Sequence, residues 1–253
     1  MEISLQLELL ELAKAMGREA GALLSQRPSG FELSTKSNEI DFATQMDKAS
    51  EAHIVSRIRS ARPDDGVIGE EGSNIPSKSG ITWVIDPLDG TVNYVYNIPG
   101  WNVSIAAKDS DGVQVGVVSA PSVNGFWYAT AGGGAFANGE RIKCNDPVNL
   151  DRAMITTGFA YDLEKRNEQA DLIKKLAPKV RDIRRLGAAG TDFADAGAGG
   201  GADVCVGDAG VCVGGGDAGV GGGDAGVGGT TGVCVVVTNG CGFDASYNIL
   251  SDS

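Results

Sequence analysis

The chain lacks several features that mark large classes of proteins. It has no apolar run of about 18 residues, the length that spans a bilayer. Its first 17 residues carry acids within an apolar pattern and lack a basic start, so they do not resemble a signal peptide. Lysine and arginine number 21 against 33 acidic residues, and the net charge of −12 argues against nucleic acid or an anionic membrane as the main partner. We therefore expect a cytoplasmic protein.

Cysteine and histidine are also scarce. The five cysteines contain no CxxC pair, and an odd number in a cytoplasmic chain indicates free thiols, with a metal site as the less favoured alternative. They are Cys144, Cys205, Cys212, Cys234 and Cys241. The only histidine is His53, which we expect to be structural rather than catalytic.

The last 68 residues lack lysine, arginine and glutamate altogether, and they hold 21 of the 38 glycines. Within them the unit Gly-Asp-Ala-Gly-Val occurs three times, beginning at Gly207, Gly216 and Gly223. Such a break in composition is abnormal within one globular domain. The segment must therefore be interpreted separately from the rest of the chain.

The remaining sequence has a clear order of elements. Three- and four-residue spacing of apolar residues predicts one helix over 3–27, ended by Pro28, and another over 44–61. Alternation and turn residues predict strands at 67–71, 81–86, 101–109, 113–121, 125–131, 154–159 and 180–187, with a turn-rich loop at 73–80 and a helix at 163–178. Asp111-Gly112 and Asn124-Gly125 are hairpin signals. This order predicts a layered α/β or α+β sandwich.

The most informative stretch is WVIDPLDGTVNY, residues 83–94. A hydrophobic strand brings Asp86 to its carboxyl end, and Pro87 fixes a turn, so Asp86 and Asp89 can converge instead of pointing to opposite faces. The Leu88 carbonyl lies between the two carboxylates as a third oxygen. This all-oxygen set favours Mg²⁺, Mn²⁺ or Ca²⁺ over zinc.

The two residues that follow Asp89 have the properties of a phosphate-binding segment. Gly90 allows the backbone to approach a ligand, and Thr91 adds a hydroxyl and a backbone N–H. A bare D-x-x-D is ordinarily a solvated turn. The hydrophobic strand, the proline, the Gly-Thr pair and the asparagine together favour a metal and phosphate site.

This stretch resembles the signature of the inositol monophosphatase family, whose pattern is W-x-x-D-P-[ILM]-D-G-T-x-N-[FY]. Other segments similar to that family follow the same order, and they are 41–47, 69–71, 98–106, 132–143 and 184–187. The resemblance covers roughly residues 5–192, about three quarters of the chain. It implies a layered αβαβα sandwich and a single phosphatase domain over 1–253. A metal-binding α+β half would occupy roughly 1–150, and an αβ half would occupy 151–253, with its anomalous glycine-rich part at 197–232.

The resemblance implies Mg²⁺-dependent hydrolysis of a small phosphate monoester by metal-activated water. The ligands of two or three Mg²⁺ ions, which Mn²⁺ can replace, would include Glu70, Asp86, the Leu88 carbonyl and Asp89. Two metal ions can clamp the attacking and leaving oxygens of a phosphoryl transfer. The residues that orient and activate the water would be Glu70, Thr91 and Asp47. Substrate contacts would come from Leu88, Asp89, Gly90, Thr91, Gly187, Ala188 and Ala189, with the N–H groups of Gly90 and Thr91 on the phosphate.

The family also implies a homodimer, inhibition by lithium and a small phosphorylated polyol or sugar as partner. Inositol monophosphate is the first substrate to expect. Fructose bisphosphate, adenosine bisphosphate, NADP and histidinol phosphate are the alternatives, because the residues that separate these substrates in the family lie mostly in the anomalous region.

The family's C-terminal half supplies one more metal-binding aspartate and, seven positions earlier, an acidic residue that contacts the substrate. Two short matches, at 201–203 and 224–226, put Gly214 at the metal position and Gly207 at the substrate position. The nearest carboxylate to the metal position is Asp217, three residues late. Asp217 is therefore the candidate last metal ligand.

Three interpretations of the glycine-rich segment stay open. In the first interpretation, the segment is a calcium-binding repeat. The spacing of nine residues from Asp208 to Asp217 and of seven from Asp217 to Asp224 departs from the constant period of such repeats. In the second, it is a degenerate C-terminal half, which leaves a catalytically impaired binding or regulatory homologue. In the third, its residues differ from the encoded ones, small residues standing for unidentified side chains. Glycine offers little area for a core and loses much entropy on folding, which favours the third interpretation.

Intact-mass measurement decides between the third interpretation and the other two. We expect a mass that departs from the 25.9 kDa of the printed sequence. A mass equal to that value contradicts the third interpretation, and resequencing of the encoding DNA is the independent check.

Overall fold

The computed structural model describes residues 1–27, 36–143, 149–160 and 162–197. In these ranges the helices are Ile3–Ser25 (α1), Lys36–Ala61 (α2), Thr91–Val95 (α3), Leu163–Leu176 (α4) and Ala189–Gly197 (α5). The strands are Gly66–Gly69 (β1), Asn74–Ile75 (β2), Thr82–Asp89 (β3), Asn102–Asp109 (β4), Gly112–Ala120 (β5), Gly125–Thr130 (β6), Gly134–Ala137 (β7), Glu140–Ile142 (β8), Met154–Thr156 (β9) and Asp182–Arg184 (β10). Short 3₁₀ turns lie at Pro121–Val123, Leu150–Arg152 and Ala177–Lys179.

A mixed eight-stranded sheet forms the centre of the fold. Its strand order is β2-β1-β3-β4-β5-β6-β7-β8, with β1 and β3 parallel and the other neighbours antiparallel. The predicted hairpins join β4 to β5 and β5 to β6. Their turns hold Gly112 at φ +117° and Asn124 at φ +54°, left-handed values that glycine and asparagine adopt most readily. Both hairpin predictions are confirmed.

Helices cover both faces of this sheet, so β4 and β5 are buried along most of their length. Val103 and Ile105 of β4 pack in one cluster with Leu9 of α1. Ala106, which points to the opposite face, packs in a second cluster with Ala194 of α5. The period of two along β4 therefore divides its side chains between a helix pair on one face and α5 on the other.

A second, two-stranded sheet lies in the C-terminal part of the described chain. Its strands β9 and β10 are parallel, and α4 packs on it through Leu172 and Leu176 against Ile155. The α1–α2 pair packs on one face of the large sheet and α5 on the other, and α4 packs on the small sheet. This mixed α/β arrangement confirms the predicted αβαβα sandwich.

A buried carboxylate anchors the amino end of β3. Asp65 is 2% exposed and accepts hydrogen bonds from Trp83 Nε1 at 3.0 Å, Ser79 Oγ at 2.6 Å and Arg62 Nε at 3.0 Å. A buried charge is stable only when donors surround it. Asp65 therefore holds the amino end of β3 in place.

Several elements differ from the predictions: helices α3 and α5 were not predicted, β3 extends three residues past 86, and α2 and β2 differ as follows. Helix α2 begins at Lys36, eight residues before the predicted start at 44. Residues 36–44 include serine, asparagine and aspartate, which favour caps and turns, so local propensity pointed to a later start. Strand β2 lies in the predicted loop at 73–80 and pairs with β1 over only two residues. Two residues are too few to show an alternation of apolar and polar side chains. This strand exists because it pairs with β1, which the local sequence does not indicate.

Several predictions fall outside the described residues. These are the glycine-rich repeat, Asp217 and Gly214, and the five cysteines. Among the helices that the structure describes, none combines the length and apolar character needed to cross a bilayer.

Two glycines let α1 approach β5 closely. A Cβ added at Gly21 would lie 2.8 Å from Pro121 Cγ and 2.9 Å from Ser119 Oγ. One added at Gly17 would lie 3.2 Å from Val117 Cγ1. The helix–sheet distance therefore depends on the absence of side chains at these positions.

We expect Gly21→Val to lower the free energy of unfolding by about 1–3 kcal/mol, because the new side chain overpacks the contact with Ser119 and Pro121. The matched control is Ala22→Val at an exposed position of the same helix, with an expected change within about 0.5 kcal/mol. Urea denaturation measures both. Equal effects of the two substitutions contradict the close packing of α1 on β5.

Candidate active site

The carboxyl end of β3 contains a β-bulge between its two aspartates. Asp86 pairs with Ser104 and Asp89 pairs with Asn102, so three steps along β3 match two steps along β4. Without the extra residue, side chains three apart would point to opposite faces of the sheet. A bulge within β3, rather than the turn that Pro87 predicted, therefore brings both carboxylates to the same side.

The neighbouring strand β1 ends in a tight turn that carries Glu70. The Gly69 N–H donates to the Ser73 carbonyl at 2.7 Å, and the Glu70 N–H donates to the Ile85 carbonyl at 3.2 Å. The Glu70 side chain is exposed at the turn and hydrogen-bonds the Asp86 carboxyl. Two ionised carboxylates repel each other, so this contact requires a shared proton or a cation in its place.

Helix α2 contributes Asp47 from below this turn. Asp47 is 5% exposed, and its Oδ1 has no hydrogen-bond partner among the residues that the structure describes. One turn further along, Ser50 Oγ donates to the Pro87 carbonyl at 2.9 Å, which fixes α2 against the bulge. Asp47 therefore presents a buried carboxylate oxygen beside the residues of β1 and β3.

The acids at this end of the sheet change one another's ionisation. Burial, together with the carboxylates of Glu71, Glu70 and Glu51, raises the pKa of Asp47 from 3.8 to about 8. Burial and the nearby charges of Asp89 and Glu70 raise the pKa of Asp86 well above its usual value. The protein on its own therefore holds protons where a cation would relieve the repulsion.

Asp89 is buried, which raises its pKa, but donors on all sides oppose the rise. Its Oδ2 accepts from the Gly190 N–H at 2.6 Å and from Asn102 Nδ2 at 2.8 Å. The N–H groups of Ala189 and Gly90 also donate to this carboxylate. Ala189 and Gly190 open helix α5, so Asp89 caps a helix about 100 residues away in sequence and complements its dipole.

The residues predicted to bind phosphate lie beside Asp89. The N–H groups of Gly90 and Ala189 face the Asp89 carboxylate and lower its pKa, whereas no hydrogen bond engages the N–H of Thr91 among the described residues. The contact of these groups with a phosphate stays a prediction. The Thr91 hydroxyl donates to the Leu88 carbonyl at 3.1 Å, which joins a predicted catalytic residue to a predicted metal ligand.

The segment 187–189 does lie beside the bulge, as its predicted role requires. Gly90 has φ +82°, and a Cβ there would be 2.8 Å from the Ala188 Cβ. Asn93 Nδ2 donates to the Leu186 carbonyl at 2.7 Å, and a Cβ on Gly187 would be 2.7 Å from Asn93 Oδ1. The two chain segments can come together because glycine occupies both positions.

The donor chemistry of this site fits a hard divalent cation. Its groups are carboxylates and a carbonyl, Asp47 carries an unpartnered buried oxygen, and no ion pair with lysine or arginine reaches Glu70 or Asp86 in the described residues. The coordination geometry is not closed, because no three acidic, histidine or cysteine side chains of the described part converge on one point. One oxygen of Asp89 is turned towards α5, and the predicted ligand Asp217 lies outside the described residues.

Sequence reasoning missed three residues that hold this site. Glu51 bonds the turn after β1, while Asn102 donates to both Asp89 and Thr191 Oγ1, at 2.8 and 3.0 Å. The Thr191 hydroxyl donates to the Gly100 carbonyl at 2.6 Å. For Glu51, the available signal was a polar residue on an apolar helix face. Asn102 offered a similar signal, as an amide within a strand of otherwise buried residues.

His53 lies away from the acidic cluster. Its Nε2 is 2.9 Å from Glu19 Oε2, which also accepts from Arg57 Nε at 2.9 Å. This contact joins α1 to α2. The expectation of a structural histidine therefore agrees with its placement.

Comparison with known proteins finds one family and several relatives. The model of the inositol monophosphatase family matches residues 5–206. The chain is 36% identical over 196 residues to the Nus factor SuhB of Salmonella typhimurium (strain 14028s), covering 76% of this chain and 73% of that protein. It is 37% identical over 159 residues to fructose-1,6-bisphosphatase/inositol-1-monophosphatase of Thermotoga maritima, covering 63% and 59%. The structure of inositol monophosphatase from Anabaena (Nostoc) sp. PCC 7120 matches with a TM-score of 0.70 and 30% identity, covering 80% of this chain and 76% of that one.

The metal-free protein should lose stability as pH rises. Asp47 has a pKa of about 8 in the folded chain and about 3.8 in the unfolded chain, so between these values only the folded form keeps the proton. The free energy of unfolding should fall across this window, by at most about 1.4 kcal/mol per pH unit for this group. Thermal unfolding in chelator from pH 5 to pH 8 measures the slope, and Asp47→Asn should flatten it. An unchanged slope in Asp47→Asn contradicts the raised pKa.

Proposed function

The chain belongs to the inositol monophosphatase family, and on that premise we propose that it hydrolyses a small phosphate monoester with Mg²⁺, inositol monophosphate being the first substrate to test. The observation that supports this most directly is the bulge of β3, which sets Asp86 and Asp89 on one side of the sheet beside Glu70. These acids repel one another unless a cation or a proton lies between them. A phosphate ester, which is itself anionic, could enter this site only with cations.

The metal ions would be held by Glu70, Asp86, Asp89 and the Leu88 carbonyl, with Mn²⁺ as a substitute. When bound, divalent cations supply Lewis-acid charge to phosphoryl oxygens and make a nearby water more acidic. The last ligand of the set would be Asp217. Hard oxygen donors of this kind suit Mg²⁺ better than softer metals.

The chain's own groups then position the ester and the water. The Thr91 N–H, in the first turn of α3, can donate to the phosphate, and Gly187 and Ala188 would form the wall opposite Gly90. Asp47 and Glu70 would orient and activate the attacking water, the role that family membership implies for them. The Thr91 hydroxyl donates to the Leu88 carbonyl. From that position it would help to orient the attacking water relative to the Leu88 carbonyl.

The polyol part of the substrate would contact residues that follow α5. Fructose bisphosphate, adenosine bisphosphate, NADP and histidinol phosphate therefore remain in the panel, and the Thermotoga relative is named for both fructose-1,6-bisphosphatase and inositol-1-monophosphatase. We also propose a homodimer, and inhibition by lithium follows from the same family membership.

A second candidate is a binding or regulatory protein that keeps the fold and a metal site but not turnover. It is favoured by Gly214 and Gly207 at the positions where the family has its C-terminal carboxylates. The Salmonella relative is named as a Nus factor, not as a phosphatase. Metal binding without phosphate release distinguishes this candidate from the first.

Purified protein should release phosphate from at least one ester of the panel when Mg²⁺ is present and not in chelator. Asp86→Asn should lower kcat/KM at least about 100-fold, because it removes one charge that holds the cation. Glu140→Gln, at an exposed acid on β8, is the matched control and should keep the wild-type rate. No phosphate release from any ester would contradict the proposal and, if Mg²⁺ still binds, support the second candidate.

A further inference from the structure

Glu51 is a buried acid of α2 whose carboxylate faces the turn after β1. It is 5% exposed and lies one helical turn after Asp47 on the same face of the helix. Its Oε2 accepts from the Glu71 N–H at 2.8 Å. Its Oε1 accepts from the Ser73 N–H at 3.0 Å and from Ser73 Oγ at 2.6 Å. One side chain therefore receives three donors from a segment of three residues.

The turn is shaped to admit this carboxylate. A Cβ added at Gly69 would lie 2.3 Å from Glu51 Oε2, closer than any side chain can approach. Gly72, at φ +113°, then turns the chain back so that Ser73 faces the same acid. The Gly69 N–H closes the loop on the Ser73 carbonyl at 2.7 Å. Gly69, the residue before Glu70, therefore leaves room for the Glu51 carboxylate.

Glu70 sits between these anchor points. Its backbone is fixed on one side by Gly69 and on the other by the Glu71 N–H, and its own N–H donates to the Ile85 carbonyl. The side chain of Glu70 is exposed and has no other protein group to orient it than Asp86 among the described residues. Glu51 therefore fixes the backbone conformation of the turn, and with it the direction of the Glu70 side chain.

We propose that Glu51 is a positioning residue that locks the turn 69–73 and so presents the Glu70 carboxylate to Asp86 in the geometry that binds a divalent cation. The catalytic consequence rests on the proposed phosphatase function, whereas the effect on the turn and on cation binding does not. Partners that orient metal ligands commonly change metal affinity or activity by 10–100-fold when they are removed.

Asp65 provides the contrast that separates positioning from simple stabilisation. It is also a buried acid, at 2% exposure, it accepts from three donor residues, and it also lies close to β1. Its donors come from Arg62, Ser79 and Trp83, none of which is a candidate site residue. Loss of Asp65 should weaken the fold, whereas loss of Glu51 should change the site.

The test compares Glu51→Gln with the wild type in the metal-free and metal-loaded states. Glutamine keeps the size of the side chain, but its NH₂ group cannot accept from the Glu71 N–H or from Ser73. We expect the amide hydrogens of Glu71 and Ser73 to exchange at least about 10-fold faster in chelator, where no metal contributes. We expect Mn²⁺ to bind about 10–100-fold more weakly by electron paramagnetic resonance titration. In turnover, kcat should fall while KM for the ester stays unchanged, because Glu51 does not reach the ester.

Two further variants complete the design. Asp65→Asn should lower the melting temperature and leave the Mn²⁺ affinity within about 2-fold of the wild type. Ser73→Ala removes only the hydroxyl donor to Glu51 and keeps the backbone N–H donor. Its loss of Mn²⁺ affinity should therefore be smaller than that of Glu51→Gln. The double variant should lose no more than Glu51→Gln, since the hydroxyl acts only through that carboxylate.

A folded Glu51→Gln protein with wild-type amide exchange and wild-type Mn²⁺ affinity overturns the proposal. So does an equal loss of Mn²⁺ affinity in Asp65→Asn. If Glu51→Gln does not fold, Ser73→Ala decides, and an unchanged Mn²⁺ affinity there is the overturning result. A wild-type protein that releases no phosphate contradicts the proposed function only, because the exchange and Mn²⁺ measurements still test Glu51.

Discussion

Repulsion between carboxylates at the carboxyl end of β3 is the constraint on which the rest of the site depends. Four acids meet there, and they are Asp47, Glu70, Asp86 and Asp89. The pKa values of Asp47 and Asp86 are raised well above the usual value, in part by the charges of neighbouring acids. The acids differ in how many hydrogen-bond donors stabilise their charge. Asp89 receives backbone and amide donors, whereas Asp86 shares a hydrogen bond with Glu70. One oxygen of Asp47 has no partner within the described part of the chain. The fold therefore stabilises the frame of the cluster and leaves its centre dependent on a proton or a cation.

Much of the fold could be predicted because its elements repeat locally. Helix α1 shows apolar residues at three- and four-residue steps, and β4 and β5 are bounded by turn residues with left-handed backbone angles. The segment around Asp86 and Asp89 was predictable for a different reason, because a strand, a proline and two acids within a few residues permit few geometries. The contact of Glu51 with Ser73 crosses 22 residues, and that of Asp89 with Gly190 crosses 101. No periodicity in the sequence records such contacts, so these partners became visible only in the structure.

The glycines of the site serve the chain more than the ligand. Gly90 makes room for Ala188, Gly69 for the Glu51 carboxylate and Gly190 for the Asn102 amide. At each of them the backbone meets a side chain from a segment distant in sequence. A glycine in a phosphate-binding signature was interpreted as space for a substrate, and here part of that space is filled by the protein itself. The signature is therefore as much a rule for joining β3, α2 and α5 as a rule for binding.

The bond between Asp89 and the start of α5 also bears on the order in which the protein is made. Synthesis proceeds from the amino terminus, and the large sheet can begin to assemble while later residues are still in the ribosome. During that interval Asp89 lacks the Ala189 and Gly190 donors, and the crowded acids lack the helix dipole that offsets one of their charges. The site therefore reaches its final form only after residue 190 has emerged. A nascent chain that stops earlier would carry the acids of the site in an unfinished frame.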